Sequence, residues 1–234
     1  MRKYGQYIYG FDIETTTYQM SIIDDEPQYN AFIGTFGKLR FTTGQIKKDK
    51  VIRTWQDFDK YLYTLDRAAA YRKETQLLYC HNNYEWSFIV ANSRFFQEKI
   101  KLSTSETLMK NERKPLFVRA GNIELRDSYL LLDKSIAELG EELGLPKLDY
   151  DYEKERFTTT RLEPRDYDYN WRDVEIQLAA LWDLIQTDLY IQTLADIPLT
   201  ATGRTRKYNR YDFRVNDEDA VNYWAYHCKQ VFPR

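Results

Sequence analysis

The stretch Tyr9-Gly10-Phe11-Asp12-Ile13-Glu14-Thr15-Thr16 sets two carboxylates two residues apart inside an apolar, strand-like run. Successive side chains of a strand point to opposite faces, so Asp12 and Glu14 share one face while Tyr9, Phe11 and Ile13 anchor the other in a core. Two neighbouring negative charges repel each other unless a cation joins them. The pair therefore reads either as an oxygen-ligand site for Mg²⁺ or Mn²⁺ or as an acidic edge at a strand end, and the surrounding chain has to decide.

The chain has 234 residues, 43% of them hydrophobic, enough to bury a core as one large domain, alone or with a small appendage. Lys and Arg number 34 against 36 Asp and Glu, a formal charge of −2, which excludes a global basic field. Any polyanion site must be local. The aromatic share of 16%, with 20 Tyr, supplies core volume and flat stacking surfaces. Cys80 and Cys228 lie far apart without metal-ligand spacing, and the start Met1-Arg2-Lys3-Tyr4 lacks an apolar leader, so an intracellular, cytoplasmic and reduced protein is expected. No run approaches the ~20 apolar residues that span a membrane.

Residues 6–14 read as a strand, and 30–37 and 38–43, punctuated by Gly34 and Gly37, read as two more in an antiparallel meander. Trp55, Phe58, Tyr61, Leu62, Leu65 and Ala69 have helical spacing behind a candidate N-cap at Thr54. A strand over 76–80, a helix from 84 to about 97, a hairpin around Ala120-Gly121-Asn122 and a helix over 135–143 follow. The longest helix is expected over 166–190, with Val174, Leu178, Leu181, Ile185 and Leu189 as its apolar stripe, and a final one over 218–231. Strands first and helices interleaved afterwards argue for an α/β fold, a mixed sheet flanked by helices.

Tyr169 and Asp173 are four apart and share a helix face. Asp173 precedes the apolar Val174, near the buried seam, where a carboxylate must be paired or metal-bound. Alone, Tyr169 reads as an ordinary half-buried tyrosine. Glu85 stands at a strand-to-helix junction, where it serves as a third acidic ligand or simply complements a helix N-terminus.

In this order, Phe11-Asp12-Ile13-Glu14-Thr15-Thr16, then His81-Asn82 followed by Tyr84-Glu85, then Tyr169-Asn170-Trp171-Arg172-Asp173 resemble the three motifs of the DEDDy 3'-5' exonucleases. The similarity is greatest to the proofreading domain of protein-primed family B DNA polymerases of phages and linear plasmids. Asp127-Ser128 resembles that group's serine motif and the run from Lys147 to Arg156 its lysine motif. The resemblance implies a ribonuclease H-like (DnaQ-like) exonuclease fold, two Mg²⁺ or Mn²⁺ ions and hydrolysis of single-stranded DNA from its 3' end. It implies Asp12, Glu14, Asp173 and Glu85 as metal ligands, Tyr169 as the residue orienting the attacking water and Lys147 as support for the catalytic acid. Thr15, His81, Asn82, Tyr84, Ser128, Tyr129 and Tyr152 correspond to positions that hold the frayed strand.

The pattern departs from the family at Glu85, where Asp is usual, and in the interval from His81 to Phe88-Ile89, which is one residue short. Either the extra methylene of Glu85 compensates, or Trp86-Ser87 fills the slot and the acid is lost. Tyr129 replaces the usual Leu. The chain carries no Tyr-x-Gly-Gly linker and no Asp-Thr-Asp polymerase motif. It is therefore expected to be an exonuclease domain over 1–195 with a basic C-terminal segment and helix over 196–234 and no polymerase domain in this sequence: a stand-alone enzyme, one half of a split polymerase beside a separate subunit, or an excised domain. The competing readings are a degenerate domain that binds single strands or a replication partner without cutting, and an RNA-trimming enzyme. The segment 203–214, with Arg204, Arg206, Lys207, Arg210 and Arg214 among Tyr208 and Tyr211, suits phosphate binding with the tyrosines stacking, a solvated connector or a partner-docking surface.

Overall fold

The computed structural model describes residues 3–18, 28–100, 106–111, 114–152, 154 and 156–212. The quoted stretch lies in strand β1 (Tyr4–Tyr18), followed by β2 (Gln28–Arg40), β3 (Ile46–Ile52), β4 (Thr75–Cys80), β5 (Thr107–Asn111), β6 (Lys114–Ala120) and β7 (Ile123–Asp127). They form one sheet in the order β3-β2-β1-β4-β7-β6-β5. The central strands β1, β4 and β7 run parallel, while β2 and β3 on one side and β6 and β5 on the other pair antiparallel. The carboxyl ends of three parallel strands thus lie side by side, which is where open α/β sheets gather their ligand sites.

Helices α1 (Trp55–Arg72), α2 (Tyr84–Asn92) and α3 (Arg94–Lys99) cover one face of the sheet, packing Phe58, Leu62, Ile89 and Phe95 against Tyr9, Phe11 and Ile13. After the short α4 (Tyr129–Leu132) and α5 (Ile136–Glu142), the long α6 (Pro164–Thr187) covers the other face. Its Val174, Leu178, Leu181 and Leu184 meet Ile8, Leu39, Leu77 and Tyr79. The period-two alternation of β1 therefore sends Tyr7, Tyr9 and Phe11 to the α1 face and Asp12 and Glu14 to the α6 face. The last described helix is α7 (Ala201–Asp212). Among the described residues no helix is long and apolar enough to cross a membrane.

Several boundaries differ from the sequence reading, each for a physical reason. The segments 30–37 and 38–43 form one strand, because Gly37 clears space for α6 instead of turning the chain. The reversal comes at residues 41–45, with Gly44 at φ +70°. The next strand is the charged β3, whose lysines suit a sheet edge. The helix expected from 84 to 97 breaks at Ser93, whose Oγ accepts from Phe96 N at 3.2 Å while Asp59 accepts from Arg94 N and Phe95 N. Thr54 does cap α1, accepting from Asp57 N at 3.1 Å, and Ser135 caps α5. The helix expected over 218–231 and Arg214 lie outside the described residues.

A buried ion network fastens the far end of the sheet. Glu124, 1% exposed, accepts from Arg126 Nε and Arg119 Nε, each at 2.6 Å. Arg126 also donates to the Ile197 carbonyl at 3.0 Å, tying down the segment before α7, where Arg204 meets Asp188 at 3.1 Å. Burial works against the Glu124 charge, but the two guanidinium groups hold its pKa below the usual glutamate value. Removing one partner of a buried pair leaves an uncompensated charge. Arg126→Met is expected to cost about 3 kcal/mol, limited by the remaining Arg119, as measured by urea unfolding.

Candidate active site

The site begins where α6 seats on the sheet. Gly10 and Gly37 are register partners on β1 and β2, and together they leave a notch for the helix. A Cβ on Gly10 would lie 2.7 Å from Gln177 Oε1, and one on Gly37 would lie 2.7 Å from Val174 Cγ1 and 2.8 Å from Leu178 Cδ1. That close approach delivers the first three turns of α6, and with them Tyr169 and Asp173, to β1 beside Asp12 and Glu14. Carboxylate oxygens of Asp12, Glu14 and Asp173 there lie within 4.8 Å of one another, the one such group among the described residues.

The electrostatics are those of a site short of positive charge. Burial, and then the Asp173 charge, push the pKa of Asp12 up to about 7. Burial and the charges of Asp12 and Asp173 push Glu14 well above the usual glutamate value. Burial also raises Asp173, against the pull of Lys147, whose Nζ sits 2.7 Å from Asp173 Oδ2. Burial opposes the Lys147 ammonium too, yet Asp173 keeps its pKa above the ordinary lysine value. Lys147 further lies over the Tyr169 ring, 5.3 Å from its centroid.

Glu85 is buried beside Asp12, and burial and the Asp12 charge raise its pKa well above the ordinary glutamate value. It thus stands beside the three-carboxylate group without joining it. Its Oε2 and the Oδ1 of Asp173 are buried without a hydrogen-bond partner. Buried orphan oxygens are rare in proteins and call for a missing donor or ion. The donors gathered here are oxygens throughout, the set preferred by hard divalent cations, so the residues fit such an ion.

Tyr169 is fixed from two sides. Its ring stacks on Tyr150 with centroids 4.2 Å apart and planes at 17°, and its hydroxyl hydrogen-bonds that of Tyr152. Tyr150 donates to Asp166 Oδ1 at 2.7 Å, and the buried Arg156 donates to the same oxygen at 2.8 Å. Tyr152 itself is 64% exposed and leaves its ring open beside the site.

The second cluster sits at the ends of β4 and β7. Asn82 and Asn83 both adopt left-handed backbone, with φ of 63° and 55°, a conformation that Asn tolerates better than most residues. Asp127 stabilises this turn, accepting from Asn82 N at 2.9 Å, from Tyr129 N at 2.8 Å and from the Asn83 amide. The exposed Tyr84 then meets Thr15, with 2.7 Å between hydroxyls, and tilts against Phe88 at 5.3 Å. His81 packs edge-on against Tyr129 at 5.6 Å, and burial lowers its pKa to about 4, so it is neutral at pH 7.

Ser128 lies deeper in the same cluster. It is fully buried, and its Oγ is engaged by the Cys80 carbonyl at 3.0 Å, by His81 Nδ1 at 2.9 Å and by Gln177 Nε2 at 2.9 Å. It joins the ends of β4 and β7 to α6. In the basic segment, Arg204 is held by Asp188, and the side chains of residues 207–212 lie outside the described atoms. Sequence reasoning passed over Asp127 as a structural anchor, Arg156 and Asp166 behind Tyr150, and Asn170. Helical arithmetic could have found the last, since Asn170 is three residues before Asp173 and shares its face.

No family model matches the chain, and no curated protein matches it in sequence. Its structure is similar to that of Phi29 DNA polymerase complexed with single-stranded DNA, with a TM-score of 0.65 and 18% identity over 89% of this chain and 35% of that one. The same polymerase complexed with primer-template DNA and incoming nucleotides gives 0.64 and 18% over 92% and 35%. The fold is ribonuclease H-like. The chain spans about a third of the length of those solved chains, and at such identity the likeness speaks for the fold alone.

Proposed function

We propose that this chain is a DEDDy-type 3'-5' exonuclease that hydrolyses single-stranded DNA with the help of two Mg²⁺ or Mn²⁺ ions, akin to the proofreading domain of protein-primed family B DNA polymerases. The observation that carries this reading is the convergence of Asp12, Glu14 and Asp173 within 4.8 Å, in a ribonuclease H-like fold, with orphan oxygens on Glu85 and Asp173. Divalent ions held by these carboxylates would supply charge stabilisation at the scissile phosphate and a water acidic enough to attack it.

The chain's own residues then divide the remaining work. Asp12 and Glu14 come from the strand and Asp173 from the helix, so the notch at Gly10 and Gly37 sets their spacing. The Tyr169 hydroxyl, held by the stack on Tyr150, orients the attacking water as both donor and acceptor. Lys147 offsets one carboxylate charge and keeps Asp173 pointed inward. Glu85 supports Asp12 and stands ready as a fourth oxygen ligand. Tyr84, Phe88 and Tyr152 offer aromatic faces on which the last bases of a frayed strand stack, a mode of binding that tolerates any sequence. Thr15 and Asn82 would fix the strand end through its backbone. The Phi29 polymerase complex with single-stranded DNA supports a strand of that kind as substrate. A separate polymerase subunit is the partner such a domain would serve.

Digestion of matched DNA and RNA strands, each with a free or a phosphate-blocked 3' end, tests substrate class and end requirement together. Loss of single nucleotides from free-ended DNA, restored by Mg²⁺ or Mn²⁺ after chelation, is expected. Binding of the strands without cleavage under either metal would instead favour a degenerate binding module.

A further inference from the structure

On the face of α6 that meets β1, one polar residue has no part in the reading above. Asn170 is 0% exposed, and its Nδ2 donates to Asp12 Oδ2 at 2.7 Å and reaches within 3.5 Å of Glu14 Oε1. Its own Oδ1 finds no partner. Burying an amide with one end unsatisfied is unfavourable, and an apolar side chain of the same size would pack there without that penalty. The amide orientation is fixed by chemistry, because turning Oδ1 towards two carboxylates would add repulsion in place of a donor.

A neutral donor suits this position in a way a charged one does not. A Lys or Arg between Asp12 and Glu14 would neutralise them permanently and compete with an incoming cation. Without any donor, nothing on the α6 side would hold the two carboxylates in common orientation against their repulsion. Lys147 plays the corresponding part for Asp173 from outside the group. Outer contacts of this kind on metal-ligating carboxylates commonly change metal affinity by about 10- to 100-fold.

We propose that Asn170 is a positioning residue that holds Asp12 and Glu14 in the arrangement that receives the cation. The inference rests on the functional reading above. Asn170 acts through the two carboxylates and lowers the ion concentration needed to load the site.

The test is calorimetric titration of Mn²⁺ into wild type, Asn170→Leu, which keeps the volume without the donor, and Asn170→Ala. Nuclease rates as a function of Mn²⁺ are measured alongside. Both variants should bind Mn²⁺ about 10-fold more weakly, with the metal dependence of the rate shifted equally and the maximal rate recovered at high Mn²⁺. Circular dichroism and urea unfolding in chelator separate a purely structural defect, which lowers the stability of the metal-free protein, from weaker ion binding by a fold of unchanged stability. Unchanged Mn²⁺ affinity in a folded Asn170→Leu, with wild type binding normally, would overturn this inference alone. Unfolding of both variants without metal would assign Asn170 to the fold and also overturn it. A wild type that takes up no Mn²⁺ would overturn the functional reading and this inference with it.

Discussion

Asp12→Asn lowers the metal-dependent nuclease rate by on the order of 10³-fold, the scale of losing a main charge-stabilising group, and at the same time makes the metal-free protein more stable. Both effects follow from one arrangement. In the metal-free fold Asp12 sits beside Asp173, Glu14 and Glu85, and its pKa is raised to about 7 by burial and by the Asp173 charge. A carboxyl group whose folded pKa exceeds its unfolded value destabilises the fold once it ionises. The stability it lends is complete below about pH 4 and lost as pH rises through about 7. The neutral amide escapes that loss. Each tenfold change in ionisation is worth about 1.4 kcal/mol, and even one such factor raises the melting temperature of a chain this size by about 3 °C. The advantage of Asp12→Asn should therefore grow from pH 4 to pH 8 in chelator and vanish at the acid end. Saturating Mn²⁺ should reverse the order, since it stabilises the protein that binds it. Thermal melting across pH, with and without Mn²⁺, checks both signs.

Gly37→Val gives the second large effect. Its side chain would enter the notch within 3 Å of Val174, Leu178 and Trp171, all on α6. None of these can withdraw freely, because Val174 and Leu178 are fully buried in the core against the sheet. The helix must lift, and overpacking of this kind costs about 1–3 kcal/mol. The chemical consequence is larger. Asp173 and Tyr169 ride on the same helix, and displacement of a reacting group by about 1 Å is enough to cost on the order of 10²-fold in rate. A folded Gly37→Val protein with at least that loss is expected. Circular dichroism, urea unfolding and nuclease rate, measured on one preparation, distinguish the displaced helix from an unfolded chain.

The shared faces of Asp12 with Glu14 and of Tyr169 with Asp173 are legible in the sequence because short-range geometry places them. A two-residue spacing on a strand and a four-residue spacing on a helix need no tertiary knowledge, and both held in β1 and α6. The cap at Thr54 and the hairpin at Gly121 were read for the same reason. Features governed by contacts between distant elements were not. Gly37 reads locally as a turn, yet it serves Val174, some 137 positions away, and so β2 runs straight through it. Edge strand β3 sets Lys47, Lys48, Asp49 and Lys50 in a row and breaks the alternation of a half-buried strand, because it lies at the end of the sheet. The burial of Ser128 depends on how β4, β7 and α6 meet, which no local spacing shows. Asn170 escaped notice because its worth lies in what sits across from it, on a strand 158 positions earlier.

The most direct test of the account is a time course of a 5'-labelled single-stranded oligonucleotide with wild type and Asp12→Asn in Mg²⁺ or Mn²⁺. Wild type should yield a ladder of products shortened one nucleotide at a time from the 3' end, absent in chelator and absent with Asp12→Asn. An intact strand with wild type under both metals, or the same ladder from the Asp12→Asn protein, would contradict it.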